Sequence, residues 1–277
     1  MARRGIQFQP LAQKDDSHPL RSILSPEKTH FLSEVQPAEA THLDLTRLLS
    51  KNRQAERILA LTLAHVLSPQ ECRAMIERTE GLGYDIALVN MGPAPGGQKV
   101  SAGVHIPGYR DGKRCIVDDV EFTKQLWDRI KDHVPAVWEG RPVVGMNERL
   151  RFLKYFPNDQ FAPHMDGEYH RTDGSGEVTK VTVQFYLNGE GEIEQGGDGL
   201  GLTGGETSFL SERYGDRKGR EEDRVAVACR TGQTLIFQHD LVHEGSRVLQ
   251  GVKYVVRGDI LYGPCINSNP TRLFTVA

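Results

Sequence analysis

Arg149-Leu-Arg-Phe-Leu-Lys-Tyr-Phe156 runs into Pro157-Asn-Asp-Gln-Phe-Ala-Pro163 and then into His164-Met-Asp166. A β-rich run is followed by a short polar turn and a His-x-Asp pair. Residues i and i+2 of an extended chain share a face, so a strand that turns back can aim His164 and Asp166 at one point. His243 follows a second strand-like run, Thr234-Leu-Ile-Phe237, and belongs at a strand edge as well. His-x-Asp alone is weak, because ten histidines among many aspartates produce one by chance. Two imidazoles and one carboxylate brought together are more specific. They occupy one face of an octahedral non-haem iron and leave three positions open.

Outward from that stretch, β-rich runs dominate the C-terminal half: Val178–Leu187, Thr207–Leu210, Arg224–Cys229, Thr234–Phe237 and Lys253–Tyr262. Turn and charge clusters separate them, which suggests a sandwich or barrel. The N-terminal half predicts helices. One spans Leu43–Ala60. A second opens at Ser68-Pro69-Gln70-Glu71, a capping box with Pro at the first helical position, and has Gly81 as its C-cap candidate. A third opens at Asp118-Asp119, with Val120, Leu126, Trp127, Ile130 and Val134 near helical spacing. The expected fold class is α+β with a mainly β core, a barrel buttressed by N-terminal helices. Residues 1 to about 44 read as a partly disordered extension. Residues 45–277 read as a single domain, with helical support to about 140 and the barrel beyond. Gly92–Gly108 is a Gly/Pro-rich loop region. Asn188–Gly205 and Ser211–Asp223 are long loops of the kind that serve as lids or as solvated surface.

Composition narrows the partners. The 277 residues carry a formal charge of -3, which provides no electrostatic footprint for nucleic acid or an anionic membrane. No apolar run approaches spanning length, and the start lacks a signal-peptide core. Cys72, Cys115, Cys229 and Cys265 are scattered, with no CxxC pair, as expected of reduced core thiols. The expected location is the cytoplasm or nucleus.

The stretch Arg151–Asp166 resembles the entry to the metal site of the prolyl 4-hydroxylase-like 2-oxoglutarate/iron(II) dioxygenases. Tyr186-Leu-Asn188, Gly204-Gly-Glu-Thr207 and His243-Glu-Gly-Ser-Arg-Val-Leu-Gln-Gly-Val-Lys253 resemble the same family. The resemblance implies a double-stranded β-helix (a jelly-roll or cupin-like barrel) with iron(II) on His164, Asp166 and His243. It implies 2-oxoglutarate and dioxygen as co-substrates, with ascorbate as an optional reductant. In the family a Lys or Arg about ten residues past the distal His pairs the far carboxylate of 2-oxoglutarate, and that position is Lys253. Arg257, on the same strand face, is the alternative. Tyr155 matches the family tyrosine that hydrogen-bonds the co-substrate, and Tyr186 is a second candidate of that kind. The implied reaction is hydroxylation of an unactivated C–H, coupled to conversion of 2-oxoglutarate and O2 to succinate and CO2.

Retention of Asp166 favours hydroxylation over halogenation, since halogenases of this superfamily replace the carboxylate by a small residue. Lys253 and Arg257 differ from the paired-arginine signature of the nucleic-acid demethylases. Other classes fit less well. His239-Asp-Leu-Val-His243 looks like HExxH, but a zinc hydrolase needs both His on one helical face with a Glu base. Gly199-Leu-Gly201-Leu-Thr-Gly204 spells GxGxxG, but a strand-like run follows it where a nucleotide site needs a helix. A catalytically silent barrel that only binds remains open. So do two substrate classes: a protein or peptide, including a prolyl side chain, and a small amino-acid-like molecule or secondary metabolite. Arg110 and Arg114 lie where related enzymes line the substrate groove and are candidates to meet an anionic or peptide group. The oligomeric state is open.

Overall fold

The computed structural model describes residues 23, 32, 38–54, 56–89, 103–193, 199–211 and 224–266. Most of the N-terminal extension lies outside the described residues. So do 90–102 of the Gly/Pro-rich region, 194–198 of the first long loop and 212–223 of the second.

The chain begins with β1 (Glu39–His42), β2 (Ala60–Ala64), α1 (Pro69–Leu82), β3 (Asp85–Ile86), β4 (Lys113–Asp118) and α2 (Val120–Ile130). There follow β5 (Val137–Trp138), β6 (Arg141–Met146), β7 (Arg149–Tyr155), β8 (Phe161–His164) and β9 (Val178–Tyr186). The chain continues with β10 (Thr203–Gly204), β11 (Thr207–Leu210), β12 (Arg224–Val227) and β13 (Thr234–Gln238). It closes with β14 (His243–Gly245), β15 (Val248–Gln250) and β16 (Lys253–Tyr262). A large antiparallel sheet runs β1-β2-β13-β9-β16-β7-β4-β3, with β6 joined to the far end of β16 and β5 to β6. A smaller sheet runs β12-β11-β14-β8, and β10 pairs with β15.

Strand alternation decides what each face meets. Along β9, Val181, Val183 and Phe185 enter a core shared with Cys72, Met75 and Ile76 of α1 and with Phe122, Leu126 and Ile130 of α2. Tyr186 points the other way, into a second core with Leu153 and Tyr155 of β7, Val255 of β16, and Phe209 and Val227 of the small sheet. The large sheet therefore carries helices on one face and the small sheet on the other. Between the sheets the inner face turns polar, and the candidate site lies there.

The capping box at Ser68 forms as expected. Ser68 Oγ accepts from the Glu71 N–H at 3.2 Å, and Glu71 Oε2 accepts from the Ser68 N–H at 2.7 Å. α1 runs past Gly81 and stops at Gly83, where φ is +86°. Asp119 caps α2, accepting from the Phe122 N–H at 2.9 Å. Val120, expected on its apolar stripe, is 65% exposed. The two helices are tied by a buried ion pair in which Arg129 holds Glu71 at 2.8 and 2.9 Å. Arg129→Leu strands the Glu71 charge, and a loss of about 3–5 kcal/mol is expected, read as a lower urea midpoint. A compensating Glu71→Met in the same chain should recover much of it.

Other expectations need correction. The helix expected over Leu43–Ala60 is absent: a single 3-10 turn at Thr46–Leu48 precedes β2. Residues 43–60 instead close the connection between the paired strands β1 and β2, the Leu43 N–H donating to the Ala60 carbonyl at 2.9 Å, so their ends are held side by side. The run Phe161–Pro163, expected as turn, is already strand β8, because β14 lies beside it. The GxGxxG run leads into β11, not a helix, as expected. Cys72, Cys115 and Cys229 are buried free thiols, but Cys265 is exposed. Among the described residues no helix is long and apolar enough to cross a membrane.

Candidate metal centre

β8 and β14 are neighbours in the small sheet, and their register places His164 directly opposite His243. Asp166 follows two residues after β8, its N–H held at 3.0 Å by the His239 carbonyl. The three side chains converge, with one ligand atom from each lying within 4.8 Å of the others. His164 Nε2 is 3.7 Å from Asp166 Oδ1, and His243 Nε2 is 3.7 Å from Oδ2.

The tautomers follow from the backbone. His164 Nδ1 lies 2.8 Å from the Ala162 carbonyl and His243 Nδ1 2.9 Å from the Leu241 carbonyl. A carbonyl only accepts, so each Nδ1 carries the proton and each Nε2 presents a lone pair inward. Burial, helped by the nearby His243, pushes His164 down to about 3, and burial lowers His243 as well. Both imidazoles are therefore neutral at pH 7, as metal ligands must be. Burial works to raise the Asp166 pKa, but Arg257, both imidazoles and Thr182 outweigh it and hold the group well below the usual carboxylate range. Two neutral imidazole nitrogens and one carboxylate fit a facial iron(II) set.

Packing fixes the rings. Phe161 stacks on His164 with centroids 3.6 Å apart, and Phe237 meets His243 edge-on at 4.7 Å. Thr182, on the inner face of β9, donates to Asp166 Oδ2 at 2.6 Å. Such outer partners orient the ligand, and Thr182→Val, which keeps the shape, is expected to weaken metal binding about 10- to 100-fold. Manganese(II) titration followed by electron paramagnetic resonance checks this.

Lys253 opens β16 opposite Tyr155 of β7. It is buried, with Nζ 5.7 Å from the Tyr155 ring centroid and 5.6 Å from that of Tyr186. Nζ donates to the Gly205 carbonyl at 2.5 Å. Glycine is required there: φ is +75°, and a Cβ would come within 3.2 Å of the Lys253 side chain. Gly112 likewise admits Tyr155, since its Cβ would lie 2.7 Å from the ring. Asn188 pins the start of β16 from both sides, donating to the Val252 carbonyl and accepting from the Tyr254 N–H.

Arg257 faces Asp166, with Nη1 3.0 Å from Oδ1, while its Nη2 donates to Asp259 at 3.0 Å. Arg151 donates to the same Asp259 at 2.9 Å. The Tyr186 hydroxyl is engaged by Thr207 at 2.8 Å. His239 lies apart from the cluster, 3.5 Å from Asp259, and no helix joins it to His243. Arg110 is buried and Arg114 half-buried, and both reach the Leu88 carbonyl. Thr182 and Asp259 have no motif of their own. Only the alternation of β9, which leaves Thr182 on the inner face, hints at one of them.

Two packed antiparallel sheets hold a two-His, one-carboxylate cluster between them, with a buried lysine nearby, a donor set able to hold a divalent metal ion. Residues 150–258 match the family model of the 2OG-Fe(II) oxygenase superfamily. No curated protein sequence matches the chain. Among solved structures, the chain is similar to the viral collagen prolyl hydroxylase of Paramecium Bursaria Chlorella virus-1 in its 2OG complex. That match has 17% identity over 73% of this chain and 95% of that one, with a TM-score of 0.47. A Trichoplax adhaerens prolyl hydroxylase, in complex with a hypoxia inducible factor peptide fragment, is 14% identical over 80% and 89%, with a TM-score of 0.48. HygX from Streptomyces hygroscopicus, with nickel and 2-oxoglutarate bound, is 14% identical over 78% and 88%, with a TM-score of 0.46.

Proposed function

We propose that the protein is a hydroxylase of the prolyl 4-hydroxylase-like branch. It would work from a double-stranded β-helix in a single domain of residues 45–277, buttressed by the N-terminal helices. The observation that carries this reading is the convergence of His164, Asp166 and His243 with both Nδ1 atoms already committed. His164, Asp166 and His243 hold iron(II), and Lys253 takes the far carboxylate of 2-oxoglutarate with Tyr155 beside it. Arg257, engaged by Asp166 and Asp259, is the weaker candidate for that carboxylate and secures the metal-facing aspartate. When bound, iron(II) supplies the dioxygen chemistry that couples conversion of 2-oxoglutarate to succinate and CO2 with hydroxylation of a C–H bond. The chain itself orients the two substrates, closes them off from water between the sheets, and keeps both imidazoles unprotonated. The substrate is a peptide, including a prolyl side chain, or an amino-acid-like small molecule met in the cytoplasm or nucleus. Anaerobic titration of iron(II) and 2-oxoglutarate tests the reading, through the visible absorption band of the chelate and succinate release once air is admitted. A protein that binds iron yet yields neither signal is not this enzyme.

A further inference from the structure

Four cationic side chains are buried among the described residues: Arg110, Arg129, Lys154 and Lys253. Arg129 is closed by Glu71 and Lys154 by Glu80. Neither Lys253 nor Arg110 has a carboxylate partner among the described residues. A buried charge without a counter-charge is costly, so its persistence points to a partner that arrives from outside. In the function proposed above, on which this inference rests, the partner of Lys253 is 2-oxoglutarate. Arg110 then needs another.

Its surroundings say where that partner sits. Residues 109–111 run beside β8: the Ala162 N–H donates to the Tyr109 carbonyl at 2.7 Å and the Asp111 N–H to the Gln160 carbonyl at 2.9 Å. Arg110 is thereby placed opposite Phe161. Its guanidinium lies 4.6 Å over the Phe161 ring, which also stacks on His164 and meets Tyr109 edge-on. Arg110 is 9% exposed, Nη1 is spent on the Leu88 carbonyl at 3.1 Å, and Nε has no partner. Burial is the largest influence lowering its pKa, and Tyr155, Arg257, Arg151 and Asp166 all lie close enough to act on it. It is thus a fixed cation with spare donors, stacked against the ring that packs on a metal ligand.

We propose that Arg110 is the specificity-determining residue that seats a carboxylate of the primary substrate, so that the C–H brought to the metal belongs to an anionic, carboxylate-bearing molecule. The planar fork suits a carboxylate, and the aromatic platform beneath it fixes the approach.

N-Acetylglycine is a suitable probe, with N-acetylglycinamide as its neutral counterpart. Each is titrated calorimetrically into protein loaded with manganese(II) and saturated with 2-oxoglutarate. Binding of the acid but not the amide is expected. In Arg110→Leu the acid should bind about 30-fold more weakly or worse, with 2-oxoglutarate affinity within about threefold of the parent. If Arg110→Leu fails to fold, Arg110→Lys keeps the charge without the fork and should weaken the acid partway. Three results overturn the assignment: equal binding of acid and amide, no binding of the acid to the parent, or unchanged acid binding in the variants. A variant that instead loses 2-oxoglutarate affinity as Lys253→Ala would shows that the carboxylate belongs to the co-substrate, which also overturns it.

Discussion

His243→Ala is expected to abolish the iron–2-oxoglutarate chelate while leaving the fold intact. His243 supplies one of three converging donors, and its Nδ1 anchor on Leu241 aims its Nε2 at the site. Loss of an outer partner of a ligand costs about 10- to 100-fold in metal affinity, and loss of the ligand itself exceeds that. The chelate band should vanish at iron concentrations that saturate the parent, and succinate release should fall to background. The far-ultraviolet circular dichroism spectrum should be unchanged, since β14 is held to β11 and β8 by backbone hydrogen bonds. A variant that still forms the band with parental affinity would remove His243 from the metal set.

Lys253→Ala should leave metal binding untouched and cripple binding of the co-substrate. The lysine is 4% exposed, and its ammonium donates to the neutral Gly205 carbonyl and has no carboxylate partner among the described residues. Truncating one member of a buried charge pair costs about 2–5 kcal/mol, so Kd for 2-oxoglutarate should rise roughly 30- to several-thousand-fold. Calorimetry with manganese(II)-loaded protein reads this directly. Lys253→Arg should rescue only in part, because Gly205 already crowds the stem of the lysine. An unchanged Kd in Lys253→Ala would move the co-substrate carboxylate to Arg257.

The site was more legible in the chain than the helical half was. Val178–Leu187 and Lys253–Tyr262 are rich in β-branched and aromatic residues, and β9 and β16 fall within a residue of the expected ends. His164, Asp166 and His243 could be grouped because an i, i+2 pair and a strand-edge histidine are local features, and the sheet only had to bring two edges together. Leu43–Ala60 failed for the opposite reason: its two ends are held side by side because β1 pairs with β2, and β2 with the far-off strand β13, which no local window records. The role of Thr182 is likewise invisible locally, since a threonine in a strand is ordinary until Asp166 is placed against it. Arg110 could be suspected of meeting an anion, but its lack of a counter-charge is a property of the folded interior alone.

Lys253, Arg257 and Asp259 occupy alternate positions of one strand, which is hydrogen-bonded to β7 on one side and β9 on the other. The charge pattern of the pocket is therefore a matter of phase. One extra residue in the Gly251-Val252 turn, if it slides β16 by a single step, would turn all three side chains to the opposite face and present Tyr254, Val256 and Gly258 in their place. His164 and His243, on β8 and β14, would stay where they are, while Asp166 would lose its Arg257 partner. Insertions and deletions in that turn can thus clear Lys253, Arg257 and Asp259 from the pocket in one event, where a point substitution removes one of them.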